Sequence, residues 1–359
     1  MKKHIGRLAA AALACALASA AYGATTYTVT DLATLGNTAS FGFGLNDPGD
    51  ATGYSWLSGY SAQRAFVWDG GVMTGLGTLG GANSLGYGIN DSQQVAGWSD
   101  TATGQTHACL WSGGTSTDLG TLGGATSIAY AINDAGQVVG EAYNTAGVQR
   151  AFLWQGGVMT DLGTLGGSWA LAYDISESGD VAGGATLLYG SPRACIWSGG
   201  SVTNLGVLGG TASYAYGIND IGQAVGLSTI VGGKYHAFLW SGGVMTDLGT
   251  LGGAYSHARA VNDSSVAVGW AYNAASVQRA TVWANLAPYD LNALIPAGSG
   301  WFLREAWDVN DNGLIVGCGT LNGKARGFLL TPNIPAPGAM LLGMIGAAVL
   351  GATRRLRLN

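Results

Sequence analysis

A chain of 359 residues with a formal net charge of −5 and only 10% charged residues lies far below the ~25% of an average soluble protein, so Gly, Ser, Thr and Asn have to keep its surface wet. Of its 15 basic residues, three precede residue 8, three fall in the last six and five occupy one repeated position. The four left over, Lys234, Arg259, Arg304 and Lys324, are too few and too scattered to build a nucleic-acid groove.

The chain opens with Lys2, Lys3 and Arg7, an Ala-rich apolar run over 8–21, and Ala21-Tyr22-Gly23. This order predicts a secretory signal peptide over 1–23, cut after Gly23. A strand, 26–32, comes next and precedes any complete repeat unit.

From there the phrase Leu-Gly-Thr-Leu-Gly-Gly (Val in one copy) starts at Leu76, Leu119, Leu162, Leu205 and Leu248, every 43 residues, with degenerate copies at Leu32 and Leu291. A 40–45-residue period holding four short strands is the pattern of a β-propeller blade. In the unit 127–167, a strand at 128–132 ends in Asn133-Asp134-Ala135-Gly136, a turn sequence. Strands at 137–140, 150–154 and 158–165 follow, each short, half apolar and bounded by Gly or Asn-Asp.

Two markers count the units. The third strand ends in Trp68, Trp111, Trp154, Trp197, Trp240, Trp283 and Leu330, and the first turn holds Asn46, Asn90, Asn133, Ser176, Asn219, Asn262 and Asn310. Both give seven. The last unit stops after its third strand, and the chain begins with a lone fourth strand. A ring joins the two by setting 26–33 against 326–331, whereas an open solenoid leaves both edges unpaired. The expected fold is therefore all-β, a seven-bladed propeller of four-stranded antiparallel blades over 25–332.

Charge supports closure. The third strand opens with Arg64, His107, Arg150, Arg193, His236, Arg279 and Arg326, facing Gly75, Asp118, Asp161, Asn204, Asp247, Asp290 and, only in a closed ring, Asp31. The tryptophans are expected to pack between blades. His107 and His236 stand in for arginine in this pair, and His257 is expected in a loop. Cys109 and Cys195 occupy the Phe slot of the third strand two repeats apart, too far for a disulfide, and are expected as buried thiols.

Departures from the repeat mark the candidate site. Two residues before the turn Asn, five units have Gly44, Gly88, Ala131, Gly217 and Ala260, but two have Asp174 and Asp308. Those blades stand nearly opposite in a ring of seven, so the pair offers carboxylates near the axis for a cation or a sugar, or else bonds local backbone. The interval from repeat Leu to turn Asn is 14 residues except in the last unit, where it is 19. The extra residues lie around 295–305 and bring Trp301, Phe302, Arg304 and Glu305. They are expected on the face that carries the variable loops between second and third strands, either as a ligand-contacting loop or as a plug over the seam.

No catalytic constellation is present: no Gly-x-Ser-x-Gly, no His-Glu-x-x-His and no phosphate-binding glycine loop. One Asp per turn is too few for a calcium loop, and turn chemistry alone accounts for Asn-Asp-x-Gly. No metal or cofactor is expected. Propellers with two or three carboxylates do serve glycosidases, which keeps a glycoside hydrolase or lyase as the alternative.

The phrases HAFLW and RAFLW, the Asn-Asp-x-Gly-Gln-Val-Val-Gly run and Asp-Leu-Gly-Thr-Leu-Gly-Gly resemble the HAF-type extracellular repeat proteins of bacteria, over nearly all of 26–331. The tail resembles a PEP-CTERM sorting signal: Pro335, Ala336, Pro337 and Gly338 precede an apolar run over 339–352, then Arg354, Arg355 and Arg357. Ala336 stands where that family usually has Glu. The resemblance implies a hydrophobic helix in 333–359 that holds the chain in a membrane until an exosortase-type enzyme processes it, and release to the envelope or the extracellular matrix. The reading reached is an exported, non-enzymatic binding or structural module whose partner is a polysaccharide or an envelope protein.

Overall fold

The computed structural model of the protein describes residues 25–333 apart from residue 37. The expected signal peptide and the apolar helix of the sorting tail, with Pro335, Ala336, Pro337, Gly338, Arg354 and Arg355, lie outside the described residues. Among these, the only helices are two three-residue 3-10 turns, and no helix is long and apolar enough to cross a membrane.

Seven four-stranded antiparallel sheets follow one another around an axis. In each, chain order runs from the innermost strand outward, as in blade three: Gly123–Ile132, Val138–Asn144, Gln149–Gln155 and Val158–Asp161. Blade seven takes its outer strand from the start of the chain. Tyr27–Asp31 pairs with Lys324–Pro332 in the register Tyr27 to Pro332 and Asp31 to Phe328. The closure read from the two incomplete ends is therefore present. It is anchored by Tyr27 and Leu32, 2% and 0% exposed, with the Tyr27 amide donating to the Leu294 carbonyl at 2.8 Å.

The blades pack through small apolar clusters at each interface, fed by alternation along the strands. Trp68, Trp111, Trp197 and Trp283 are buried in these clusters, while Trp154 and Trp240 are half-buried against them. The backbones approach closely at the second strand. At Gly140 an added Cβ would run into the carbonyl oxygen of Ile128, which is why that strand carries Gly in every blade.

Two local expectations need correction. The fourth strand, expected to run over 158–165, ends at Asp161, and the glycines of the Leu-Gly-Gly phrase open the next inner strand at Gly166. Gly166 has φ of +96°, a left-handed turn that a strand cannot continue through without glycine. Across the hairpin, Asp161 faces Phe152 rather than Arg150, because the turn uses both Gly156 and Gly157. A two-residue offset keeps Arg150 on the same face, so its Nε still reaches Asp161 at 2.7 Å. The same diagonal pair forms at His107–Asp118, His236–Asp247, Arg279–Asp290 and, across the closure, Arg326–Asp31 at 3.7 Å.

Candidate functional site

Each innermost strand carries a β-bulge at the same point: between Gly42 and Gly44, Gly86 and Gly88, Ala129 and Ala131, Ala172 and Asp174, Ala215 and Gly217, Ala258 and Ala260, and Ala306 and Asp308. A bulge re-aims the residue it carries. Those residues are Phe43, Tyr87, Tyr130, Tyr173, Tyr216, Arg259 and Trp307, and all seven line one axial cavity. They also touch in sequence around the axis. Ring centroids lie 5.4 Å apart for Phe43–Tyr87, 5.2 Å for Tyr87–Tyr130, 5.5 Å for Tyr130–Tyr173, 4.6 Å for Tyr173–Tyr216 and 4.5 Å for Trp307–Phe43. Arg259 fills the remaining gap, its guanidinium 4.0 Å from the Trp307 ring centre and 5.4 Å from that of Tyr216. Six aromatic rings and one cation thus form a closed girdle.

On one side of the girdle the cavity opens to solvent, with a volume of about 440 Å³. Its rim is acidic in every blade: Asp47, Asp91, Asp134, Glu177, Asp220, Asp263 and Asp311. These are the second residues of the Asn-Asp turns, and each hydrogen-bonds the next blade. The Asp47 amide donates to Asp91 at 3.0 Å, Asp91 to Asp134 at 2.8 Å, Glu177 to Asp220 at 2.7 Å and Asp263 to Asp311 at 2.8 Å. Burial and the neighbouring carboxylates raise Asp47 and Glu177 above the usual carboxylate range. One Asp per turn, read blade by blade, is turn chemistry. Seven turns around an axis make a negatively charged mouth.

Asp174 and Asp308 sit between rim and girdle and line the cavity. Both carboxylates bond backbone. Asp174 accepts from the amides of Ile175 at 2.9 Å and Ile218 of the next blade at 2.8 Å. Asp308 accepts from Val309 at 2.8 Å and Leu45 at 3.0 Å. Loss of solvent in the channel wall raises Asp174 to about 7 and Asp308 to about 6, against the opposing effect of those amide bonds.

Their positions follow from a second ring. The turn Asn side chain donates to the carbonyl of its counterpart in the next blade: Asn46 to Asn90 at 3.2 Å, Asn90 to Asn133 at 3.1 Å, Asn133 to Ser176 at 3.1 Å, Asn219 to Asn262 at 2.9 Å, Asn262 to Asn310 at 3.0 Å and Asn310 to Asn46 at 3.0 Å. Ser176 is too short to continue the ring, and there Asp174 supplies the bond to the next blade. Asp308 adds a second bond between blade seven and blade one, beside the Asn310–Asn46 bond. The two departures thus act as inter-blade ties.

The insertion behaves differently from the ligand loop considered above. It lies at the start of the inner strand Trp301–Val309, the end opposite the acidic mouth. Leu294 and Ile295 are buried in one cluster with Tyr27, and Trp301 packs against it, so the insertion covers the closure seam. Phe302 lies under the guanidinium of Arg279 at 4.6 Å, and Arg304 is exposed. Only Glu305 joins the axial site, through its ion pair with Arg259 at 2.8 Å. The cavity therefore opens on the face away from the insertion and the variable loops.

His257 belongs to the inner strand Gly252–Val261 rather than a loop. It is 5% exposed, its ring lies 4.3 Å from Tyr216, and its Nε2 has no hydrogen-bond partner. Burial, reinforced by Arg259, pushes its pKa well down and keeps it neutral. Cys109 and Cys195 are buried free thiols in the Phe slot, and Cys318 is a half-buried one. Among the described residues, no group of three or more His, Cys, Asp or Glu is placed to hold a metal ion.

No family model matches the chain, and no curated protein does either. Solved structures similar to it include an acylaminoacyl peptidase of Pyrococcus horikoshii, 8% identical with a TM-score of 0.51 over 82% of this chain and 53% of that one. A prolyl endopeptidase is 11% identical with a TM-score of 0.50 over 87% of this chain and 50% of its own. TolB from Acinetobacter baumannii is 13% identical with a TM-score of 0.39, covering 66% and 63% of the two chains. The chain spans about half the length of the two peptidases, and the likeness is one of fold.

Proposed function

We propose that this chain is an exported repeat propeller of the HAF type, acting as a non-enzymatic binding or structural module at the cell surface or in the extracellular matrix, with its ligand held in the axial cavity. The observation that carries this reading is convergence. Every blade contributes its bulged residue and its turn acid to one cavity of about 440 Å³, a size in the range of small-molecule and glycan-terminus sites. The partner is a soluble or polysaccharide-borne group, or an envelope protein presenting such a group. Processing of the Pro335-Ala336-Pro337 tail by an exosortase-type enzyme, after transient membrane anchoring, belongs to the same reading.

The binding reading is favoured over the glycosidase or lyase alternative by how the carboxylates are engaged. Asp174 and Asp308 have both oxygens occupied by amides. The rim acids each hold the amide of a neighbouring turn, most of them through one oxygen.

The test is a screen of the purified chain against a glycan and metabolite panel, with product analysis on every binder. Tyr173→Leu is expected to weaken binding at least tenfold while Arg304→Ala leaves it unchanged. Loss with Arg304→Ala alone would move the site to the insertion face, and product formation would overturn the non-enzymatic reading.

A further inference from the structure

We infer that the axial cavity selects an organic ammonium group, a protonated amine on an aliphatic or sugar frame, seated on the aromatic girdle. This rests on the cavity being the binding site, and adds its chemical class.

Three observations converge. The girdle already holds a cation: Arg259 replaces one of seven ring positions and lies against the faces of Trp307 and Tyr216. Aromatic walls attract cations through the negative face of the ring, most strongly where water is excluded. Four further rings of the girdle, Phe43, Tyr87, Tyr130 and Tyr173, line the same cavity floor.

Second, the charge of Arg259 is matched from beyond the girdle by Glu305 at 2.8 Å, leaving the carboxylates on the open side uncompensated. These are the seven rim acids, and no Lys, Arg or His other than Arg259 lines the cavity. A low-dielectric cleft lined by one sign of charge concentrates the counter-ion.

Third, the arrangement favours an amine over a metal ion. The rim acids are spread one per blade, and no three carboxylates approach closely enough to coordinate an ion, whereas calcium takes six to eight oxygens at about 2.3–2.6 Å. An ammonium group on a carbon frame needs no such convergence. It uses diffuse negative potential at the mouth and the aromatic girdle at the floor, and its frame fills the space between. An aliphatic polyamine and the amino sugar of a de-N-acetylated polysaccharide share this chemistry.

The experiment is calorimetric titration of the full chain with spermidine, with a glucosamine oligosaccharide, and with the N-acetylated form of each. The comparison protein carries Asp91→Asn, Asp134→Asn and Asp263→Asn. The amide oxygen in each still accepts the backbone bonds from Asp47, Asp91 and Asp220, so charge is removed and the turns are kept. Binding of an amine that weakens at least tenfold in the triple variant, and also weakens with added salt, is the expected result. Tighter binding of spermidine or of the oligosaccharide identifies the frame. Equal binding of amine and N-acetylated forms, or equal binding by the triple variant, overturns the inference. So does displacement of the amine by stoichiometric calcium. If a neutral ligand binds and Tyr173→Leu abolishes it, the cavity remains the site and only its ammonium selectivity fails.

Discussion

Ser176 interrupts a ring of side-chain bonds that the other six blades maintain, and restoring it is a direct measure of what holds neighbouring blades together. Elsewhere the Asn oxygen accepts from the amide four residues on, at 2.7 Å in Asn46–Asp50 and 2.9 Å in Asn310–Leu314. Its Nδ2 donates to the next blade's turn carbonyl and, where the fourth residue is Asp50, Gln94, Gln137 or Gln223, to that side chain as well. Ser176 keeps the first bond, from Asp180 at 3.1 Å, and has no donor long enough for the second. Blade one shows that Asn tolerates an Asp four residues on, since Asn46 Nδ2 lies 3.1 Å from Asp50. Ser176→Asn should therefore add one inter-blade bond, to Asn219, and one local bond, to Asp180. A typical net hydrogen bond contributes about 0.5–1.5 kcal/mol. Ordering the longer side chain offsets part of this, which leaves about 1 kcal/mol, or roughly 1–2 °C in Tm for a unit of this size. The reverse change between blades seven and one, Asn310→Ser, should lose a similar amount. Asn310→Ala should lose about 2–4 kcal/mol, because it also strands the Leu314 amide. Differential scanning calorimetry of the three variants tests the series. The reasoning fails if Ser176→Asn does not raise Tm, or if Asn310→Ser and Asn310→Ala are equal. A cycle adds a sharper check: Asp174→Ala should cost less in the Ser176→Asn background, where Asn carries the tie.

Asp174 and Asp308 also predict a pH dependence. Their folded pKa values, about 7 and about 6, lie above the unfolded carboxylate value near 3.8, so the native state holds protons that the unfolded chain has released. Their contribution is complete below pH 3.8 and is lost as pH rises through 6 and 7; measured by urea denaturation, Asp174→Asn should gain stability relative to wild type between pH 5 and 8. Asp31→Ala should cost only about 1 kcal/mol, since the pair with Arg326 is long and partly exposed, whereas deleting 24–32 should abolish the cooperative melt by removing Tyr27 and Leu32. Burial pushes the Cys109 thiol up to about 12 and raises Cys195 as well; in a native-state Ellman titration both should stay unreactive until the fold opens.

The blade number, the closure and the inter-blade tryptophans were legible because each is a statement about period. A residue that recurs every 43 positions at a strand end has to occupy the same place in every blade. The hairpin register was off by two residues because a Gly-Gly turn and a single-Gly turn look alike in sequence, and a two-residue offset preserves the face. His257 lies outside the repeated basic position and so looks like a loop residue, although the inner strand that starts at the left-handed Gly252 holds it.

The girdle and the acidic rim are harder to read, although the signal for them is present. Departures from a repeat draw attention to Asp174 and Asp308, which tie neighbouring blades in the cavity wall, and to the insertion, which covers the seam. What recurs builds the girdle and the rim: the acid after the first turn residue in all seven units, and the large residue set directly behind a Gly or Ala in Gly42-Phe43, Gly86-Tyr87, Ala129-Tyr130, Ala172-Tyr173, Ala215-Tyr216, Ala258-Arg259 and Ala306-Trp307. Within one blade such a pair looks like a close backbone contact, and one turn Asp looks like a cap. Rotation about the axis changes their meaning, since any residue on the innermost strand is brought within reach of six counterparts. In a closed ring, then, invariance at the inner strand is the place to look for chemistry, and variation there marks where one blade needs a different joint. Arg259 satisfies both conditions, since it departs from the aromatic pattern and stays in the girdle. Replacing it with Tyr would complete the ring of aromatics but leave Glu305 buried without its partner. Arg259→Tyr alone should therefore cost stability through that carboxylate, and adding Glu305→Gln should restore most of it.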